Sequence, residues 1–359
     1  MNIQLFEHPG PDAAWDAFLQ AHPAGHHVQS CAWGTLKATF GWQVVRWVAY
    51  EDGTVVGGAQ ILLRTLPVGY VGYMSKGPVI APGRDDVMTQ LFAHIERFAR
   101  KKWVFVLSIQ PPEDAPLYMR PLQHAGFRPS SFYVIPPDTV TVDLRPDVAD
   151  ILAAFKQKTR YNIRLAGRKG VVIQQGNFDD LATFYALTQT TARRNTAYSH
   201  YDLAYYQQAW RLFAPHGMLK LFIAYADDQP LASLIAFAFG DWGVYKWGAS
   251  SNIHREKMPN HLLQWTAIQW CKAQGCRHYD MGGITPVVAE ALKQGVKARD
   301  IDHPSAGVAR FKLTFGNLVT FPASYDQIYT LRPRWLVRQA ITTAWQIRWF
   351  RGLVRGARG

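Results

Sequence analysis

One order of elements is legible twice along this chain, and it confines the fold more than any single motif does. In the first half, Gln43 to Tyr50 and Thr54 to Leu66 read as strands joined at Asp52-Gly53, a dipeptide suited to tight hairpins. Asp85 to Lys102 follows with Val87, Leu91, Ile95 and Phe98 at helical spacing, and the apolar run Trp103 to Ile109 then reads as a buried strand. In the second half, strands are expected at Leu219 to Ala226, Leu231 to Phe239 and Gly243 to Trp247. A helix from His261 to Gln274, stopped by Gly275, and a strand from Arg277 to Met281 complete the second copy. Flanking elements are a helix at Asp12 to Ala21, a helix near Leu117 to Ala125, strand over Phe132 to Leu144, and one basic helix over Val148 to Lys169. A short strand and two helices then lead to about His216.

The repeated order predicts two copies of one mixed α/β unit, an arrangement that suits the fold named after Gcn5-related N-acetyltransferases. A chain of 359 residues with 48% hydrophobic content has enough apolar side chains for two cores. The formal charge of +13 points to phosphate-rich ligands, nucleic acid or an anionic membrane surface as partners, and does not choose among them. Cys31, Cys271 and Cys276 form neither a disulfide framework nor a zinc set. Met1 to Asp12 lacks a secretory pattern, and no run reaches the ~20 apolar residues needed to span a bilayer. A cytoplasmic protein is expected, with attachment to the inner face of the plasma membrane as an open alternative.

Five segments could carry chemistry. Phe311-Lys312-x-x-Phe315-Gly316 surrounds one ammonium with apolar residues, so Lys312 could stabilise a developing oxyanion; on residue types alone it reads as a strand whose lysine meets water. On the basic helix, Lys156, Arg160 and Arg164 would share a face suited to a phosphate backbone, or form a solvated face without a partner. Arg193 and Arg194, with Tyr198 close by, could hold phosphate or carboxylate, and equally suit a helix C-terminus. Tyr245 to Ser251 leads through small residues towards the helix at His261, either a ligand-binding connection or a plain one. The tail from Leu331 to Gly359 interleaves seven arginines with tryptophan and aliphatic residues, fitting either a helix on an anionic bilayer or one packed on the body. There is no Gly-x-Ser-x-Gly elbow, Walker loop or His-Glu-x-x-His, and the histidines are scattered.

Taken in order, these segments resemble the FemABX family of peptidoglycan-bridge aminoacyltransferases over nearly the whole chain. The resemblance rests on Gln29-Ser30-x-x-Trp33-x-x-x-Lys37 with Gly41-Trp42, Lys158-Thr159-Arg160-Tyr161-Asn162-Ile163-Arg164 and Gly248-Ala249-Ser250-Ser251. It extends through Leu262-Leu263-Gln264-Trp265, Tyr279-Asp280-x-x-Gly283-Ile284 and the Phe-Lys-x-x-Phe-Gly segment. It implies two tandem acyltransferase-like domains, 1–147 completed by 322–359, and 148–321, with a basic amphipathic C-terminal helix over 331–359. It also implies the reaction: the side-chain amine of the third stem-peptide residue attacks the ester of an aminoacyl-tRNA, with no metal or nucleotide cofactor and with the protein as a monomer.

By matching position, Lys312 with Phe311 would stabilise charge at the ester. Lys37 and Arg194 would hold the precursor's phosphates, and Tyr198 and Tyr245 would touch the precursor, with Trp247 a substitute for Tyr245. Lys156, Arg160 and Arg164 are candidates for tRNA binding. Two departures stand out: Gln110-Pro111 replaces the Asp-Pro of many relatives, and no helical-hairpin insertion fits between Tyr206 and Met218. The competing readings are an acyl-CoA N-acyltransferase of the same fold, whose Arg/Gln-x-x-Gly-x-Gly/Ala turn is missing, and a non-catalytic basic RNA- or membrane-binding protein.

Overall fold

The computed structural model describes residues 1–112, 115–130, 135–195, 198 and 200–329. The chain begins with β1 (Asn2–Phe6), α1 (Ala13–Ala21), α2 (Cys31–Thr39), β2 (Gln43–Glu51), β3 (Thr54–Thr65), β4 (Tyr70–Ser75) and β5 (Val79–Ile80). It continues through α3 (Asp85–Lys101), β6 (Val104–Gln110), α4 (Ala115–His124), β7 (Arg128–Pro129), β8 (Asp138–Asp143), α5 (Val148–Ala154), α6 (Gln157–Arg168) and β9 (Val172–Gly176). Next come α7 (Leu181–Arg194), α8 (Leu203–Phe213), β10 (Leu219–Ala226), β11 (Gln229–Phe239), β12 (Trp242–Ser250), α9 (Pro259–Ala273) and β13 (His278–Gly283). The last elements are α10 (Pro286–Lys293), α11 (Ala306–Lys312), β14 (Asn317–Thr320) and β15 (Tyr325–Ile328). The tail read as a helix over 331–359 lies outside the described residues.

Two units divide the chain, Met1–Pro137 with the segment from Phe321 onward, and Asp138–Thr320. The first has a sheet ordered β1-β2-β3-β4-β6-β15-β7, with β5 on β3. The hairpin read at Asp52-Gly53 is present, both residues taking positive φ, as a tight turn between twisted strands requires. Val87, Leu91, Ile95 and Phe98 of α3 are all buried in one core with Trp47, Ile61 and Ile109. Each such side chain stabilises the unit by about 1.5–3 kcal/mol.

In the second unit the order is β14-β8-β13-β12-β11-β10-β9. β11 is apolar on both faces because both are covered: Leu234, Ala236 and Ala238 share a core with Leu263 and Ile268 of α9, while Phe237 meets Phe213 of α8 with ring centroids 4.9 Å apart. The division falls at 137/138 rather than the expected 147/148 because β8 pairs with β13 and β14. A strand's partner along the sheet is non-local, and local pattern does not reveal it.

Two further expectations are corrected. The basic helix is two helices, broken at Phe155-Lys156. Phe155 turns into the core against Trp265 and Phe315, and the Lys156 N–H donates to the Thr314 carbonyl at 3.1 Å rather than up a helix. The Phe311-Lys312 segment is helical, not a strand, and its lysine does not face water: Lys312 is 7% exposed. Among the described residues no helix is long and apolar enough to cross a membrane.

Candidate active site

The short helix α11 delivers Lys312 to the end of β13. Its Nζ donates to the carbonyl oxygens of Gly282 at 2.9 Å and Gly283 at 3.1 Å. Gly282 sits where β13 slips register against β8, between Asp280 and Gly283, and takes a φ of +83° that side chains resist. Phe311 and Phe315 do the anchoring. Their rings pack on His261 at 5.1 and 5.9 Å, and Phe315 also meets Phe155 at 5.2 Å. Gly316 lets the chain turn into β14, since a Cβ there would stand 2.1 Å from the Thr141 carbonyl. The motif thus comprises two aromatic anchors, one lysine turned inward and one obligatory small residue.

The surroundings of Lys312 are a gap between two parallel strands. β12 and β13 pair only at Trp242–His278, Gly243–Tyr279 and Val244–Asp280, after which β12 parts from β13 and continues to Ser250 on β11. A Cβ at Gly282 would lie 3.4 Å from Lys312 Nζ and 3.5 Å from the Tyr245 carbonyl, which places both beside the fork. Just past the last pair β12 bulges against β11: Ala236 faces Tyr245 and Ile235 faces Trp247, so that the register shifts by one residue at Lys246. Asp280 Oδ1 accepts from the Gly282 N–H at 2.7 Å and from the Thr139 hydroxyl.

Electrostatics follow from burial. Desolvation lowers Lys312 to about 8 and Lys246 to about 7, partly countered in each case by the Asp280 carboxylate. Burial raises Tyr245 to about 12 and holds Tyr198 well above the ordinary phenol range. His261 is lowered to about 4 by burial and by Lys158, and its Nε2 lies 3.1 Å from Asn162 Nδ2. A protonated lysine facing two carbonyls in a dehydrated fork is suited to stabilising negative charge that develops on an acyl oxygen.

The other residues singled out in the sequence are placed as follows. The Tyr198 hydroxyl donates to the Gly248 carbonyl at 3.0 Å, and the Tyr245 phenol folds back against Gly248. Trp247, the substitute considered for Tyr245, is buried instead against Tyr206 and Phe237. Arg194 stands at the end of α7 with its fork on the β12–α9 connection, donating to the Ser251 carbonyl and Ser250 Oγ at 3.1 Å and to Asn252 Oδ1. Its affinity for protons is lowered by burial and by Arg255. Lys37 belongs to the first unit, fully buried on α2 with Nζ 4.7 Å from the Trp33 ring centroid. Gln110, also in the first unit, is buried.

The basic face expected of Lys156, Arg160 and Arg164 is not the one that forms. Lys156 precedes α6, and Arg160 turns back to donate to the carbonyls of Ala153 at 2.8 Å and Phe155, closing the end of α5. The exposed stripe of α6 carries Lys158, Tyr161, Arg164 and Arg168, with the Arg168 guanidinium 5.6 Å from the Tyr161 ring centroid. Thr159 and Asn162 face inward, Thr159 Oγ1 donating to the Thr314 carbonyl at 3.2 Å. The inward face of α6 therefore adjoins the turn that follows Lys312.

Sequence reasoning passed over Asp280 and Lys246 as site residues. Asp280 was visible only as part of a motif; Lys246 carried one signal, a lone cation in the otherwise apolar run Gly243 to Trp247. Among the described residues no group of three or more His, Cys, Asp or Glu could hold a metal ion.

Comparison with known proteins adds to this geometry. A model of the FemAB family matches residues 11–126, and an acetyltransferase (GNAT) domain model matches residues 153–293. A lipid II:glycine glycyltransferase of Staphylococcus saprophyticus is 25% identical over 346 residues, covering 76% of this chain and 83% of that protein. The crystal structure of FemX superposes with a TM-score of 0.80 at 20% identity, covering 95% of this chain and 100% of the other. A tandem GNAT protein from the clavulanic acid biosynthesis pathway gives 0.54 at 14% identity, covering 92% and 100%. Both solved structures share the fold, two GNAT-like domains in tandem.

Proposed function

Since the chain belongs to the FemABX family and is an acyltransferase, we propose that it moves an amino acid from aminoacyl-tRNA to the stem-peptide side-chain amine of a peptidoglycan precursor. The observation that carries this reading is the buried Lys312 at the β12–β13 fork, held by Gly282 and Gly283. The acceptor nitrogen attacks the ester carbonyl, and the oxygen that gains charge faces the Lys312 ammonium. A contact of this kind contributes ~3 kcal/mol, on the order of a hundredfold in rate. Lipid II is the favoured acceptor because the relatives are lipid II glycyltransferases; the UDP-linked precursor is the alternative. The Lys158, Arg164 and Arg168 stripe supports an approach of tRNA beside the fork.

An acyl-CoA donor is the second reading, favoured by the GNAT match. The β12–α9 connection argues against it. Residues 251–258 contain no glycine, and α9 opens on Pro259, which has no N–H to offer a pyrophosphate. Purified protein given a panel of charged tRNAs, acyl-CoA and both precursors, with products read by mass, tests the proposal: one added aminoacyl mass that requires charged tRNA is expected. Transfer from acyl-CoA alone refutes it. Binding to an anionic bilayer through the arginine-rich tail is a further part of the proposal. Liposome flotation unchanged on deleting residues 332–359 would remove that part.

A further inference from the structure

We propose that a tip of the first unit, formed by Val68 and Trp103, docks on an anionic bilayer surface, a contact on the body of the protein separate from the arginine-rich tail. Two connections build the tip. β3 returns to β4 through Leu66-Pro67-Val68-Gly69, closed by the Leu66 N–H donating to the Gly69 carbonyl at 3.0 Å, and α3 enters β6 through Lys102-Trp103. Because β4 and β6 pair in parallel, the two connections lie side by side. The Tyr70 N–H donates to the Trp103 carbonyl at 2.9 Å, and a Cβ at Gly69 would stand 2.3 Å from that oxygen. Trp103 is 64% and Val68 59% exposed, the most exposed of the large apolar side chains described in this unit.

Neither backbone nor core accounts for the tryptophan. Trp103 directly follows the C-cap of α3, where helices commonly end on a glycine in the left-handed region, and it takes a φ of +58° there. A bulky residue adopts that conformation at a cost, and this ring recovers little by burial. The surroundings point to the partner. Arg100, Lys101 and Lys102 immediately precede Trp103; Arg100 pairs with Glu96 and Lys102 with Glu7, while Lys101 has no ion pair among the described residues. β15 ends at this edge as well: the Tyr329 N–H donates to the Phe105 carbonyl at 3.0 Å, and the Arg100 guanidinium lies 5.8 Å from the Tyr329 ring centroid. Residues 331–359, with seven arginines and no acid, are therefore tethered beside the same tip.

An indole and an aliphatic side chain beside lysine and arginine match the boundary of a bilayer, where tryptophan sits at headgroup level, apolar groups reach the acyl chains and cations meet anionic headgroups. Other occupants fit less well. A second copy would bring residues 100–102 of each chain together, a like-charge contact. A polyanion such as RNA would use the cations and leave Pro67 and Val68 without a role. Docking holds the protein at the surface where a lipid-linked acceptor resides, and the contact stands whether or not transfer proceeds as proposed above.

Trp103→Gly removes the ring without threatening the fold, since glycine takes the left-handed conformation freely. With the full chain, co-sedimentation on vesicles of phosphatidylglycerol and phosphatidylcholine should show binding that Trp103→Gly weakens at least about tenfold, with a melting temperature no lower than that of the wild type. Binding equal to wild type in Trp103→Gly overturns the proposal, and so does a variant that melts well below the wild type, because the ring would then serve the fold. A solvatochromic dye on Val68→Cys, attached selectively because Cys31, Cys271 and Cys276 are buried, should shift to the blue on those vesicles and not on phosphatidylcholine alone. A dye already shielded without lipid, through self-association or until residues 332–359 are deleted, overturns the proposal in favour of a second copy or the chain's own tail. Transfer to the soluble UDP-linked precursor should be unchanged in Trp103→Gly, so a failure of docking and a failure of the transfer reading are told apart.

Discussion

The Lys312 Nζ lies 2.9 Å from the carbonyl oxygen of Gly282, a residue that can present that carbonyl only because its φ of +83° carries no Cβ penalty. The cation of the site is therefore positioned by backbone. Among the described residues no carboxylate forms an ion pair with it, and Asp280 acts on it from the paired part of β13. An ammonium held this way keeps its charge available to a substrate oxygen.

Gly282→Ala tests that positioning. The left-handed conformation costs a β-carbon about 1–2 kcal/mol, and the new methyl would stand 3.4 Å from Lys312 Nζ. The variant should fold with modestly lower stability and lose kcat while KM for the acceptor changes little. Unchanged kcat in Gly282→Ala would show that the carbonyl contact does not place the lysine.

Replacing Arg164 and Arg168 with glutamine should weaken charged-tRNA binding and reduce the salt slope by about 0.9 per lost phosphate contact. Arg160→Gln should leave that slope alone and instead cost about 1 kcal/mol of stability through the lost contacts with Ala153 and Phe155. The opposite pattern would return the tRNA face to the residues first read from the sequence.

Stability should depend on pH through the two lysines. Both have folded-state values, about 7 for Lys246 and about 8 for Lys312, below the ordinary 10.5. Between those limits the unfolded chain binds more protons, so stability is fullest above the unfolded value and falls as pH drops through the folded ones. Urea midpoints should climb from about pH 7 to about pH 9.5, and Lys246→Met should remove part of the climb. A level midpoint, or the same climb in the variant, contradicts the burial of these charges.

The sequence made α3 readable because Val87, Leu91, Ile95 and Phe98 repeat over enough turns to separate a helix from a strand, and the Asp52-Gly53 hairpin announced itself by turn chemistry. α11 was unreadable for the converse reason: Ala306–Lys312 is under two turns long, where periodicity decides nothing. The break before α6 needs neither Pro nor Gly; it follows from Phe155 entering a core assembled with Trp265 and Phe315, far along the chain. That break leaves Lys156 ahead of α6 and turns Arg160 back onto the end of α5, so the exposed cations on α6 itself are Lys158, Arg164 and Arg168. A bulge is likewise a property of two strands, so Lys246 looked like any residue of an apolar strand until its pairing with β11 was seen.

The most direct measurement is single-turnover transfer from aminoacyl-tRNA to the precursor by wild type and by Lys312→Ala, with folding checked by circular dichroism. The account predicts a folded variant slowed on the order of a hundredfold or more, with acceptor binding retained. A folded Lys312→Ala enzyme that transfers at near the wild-type rate would contradict it.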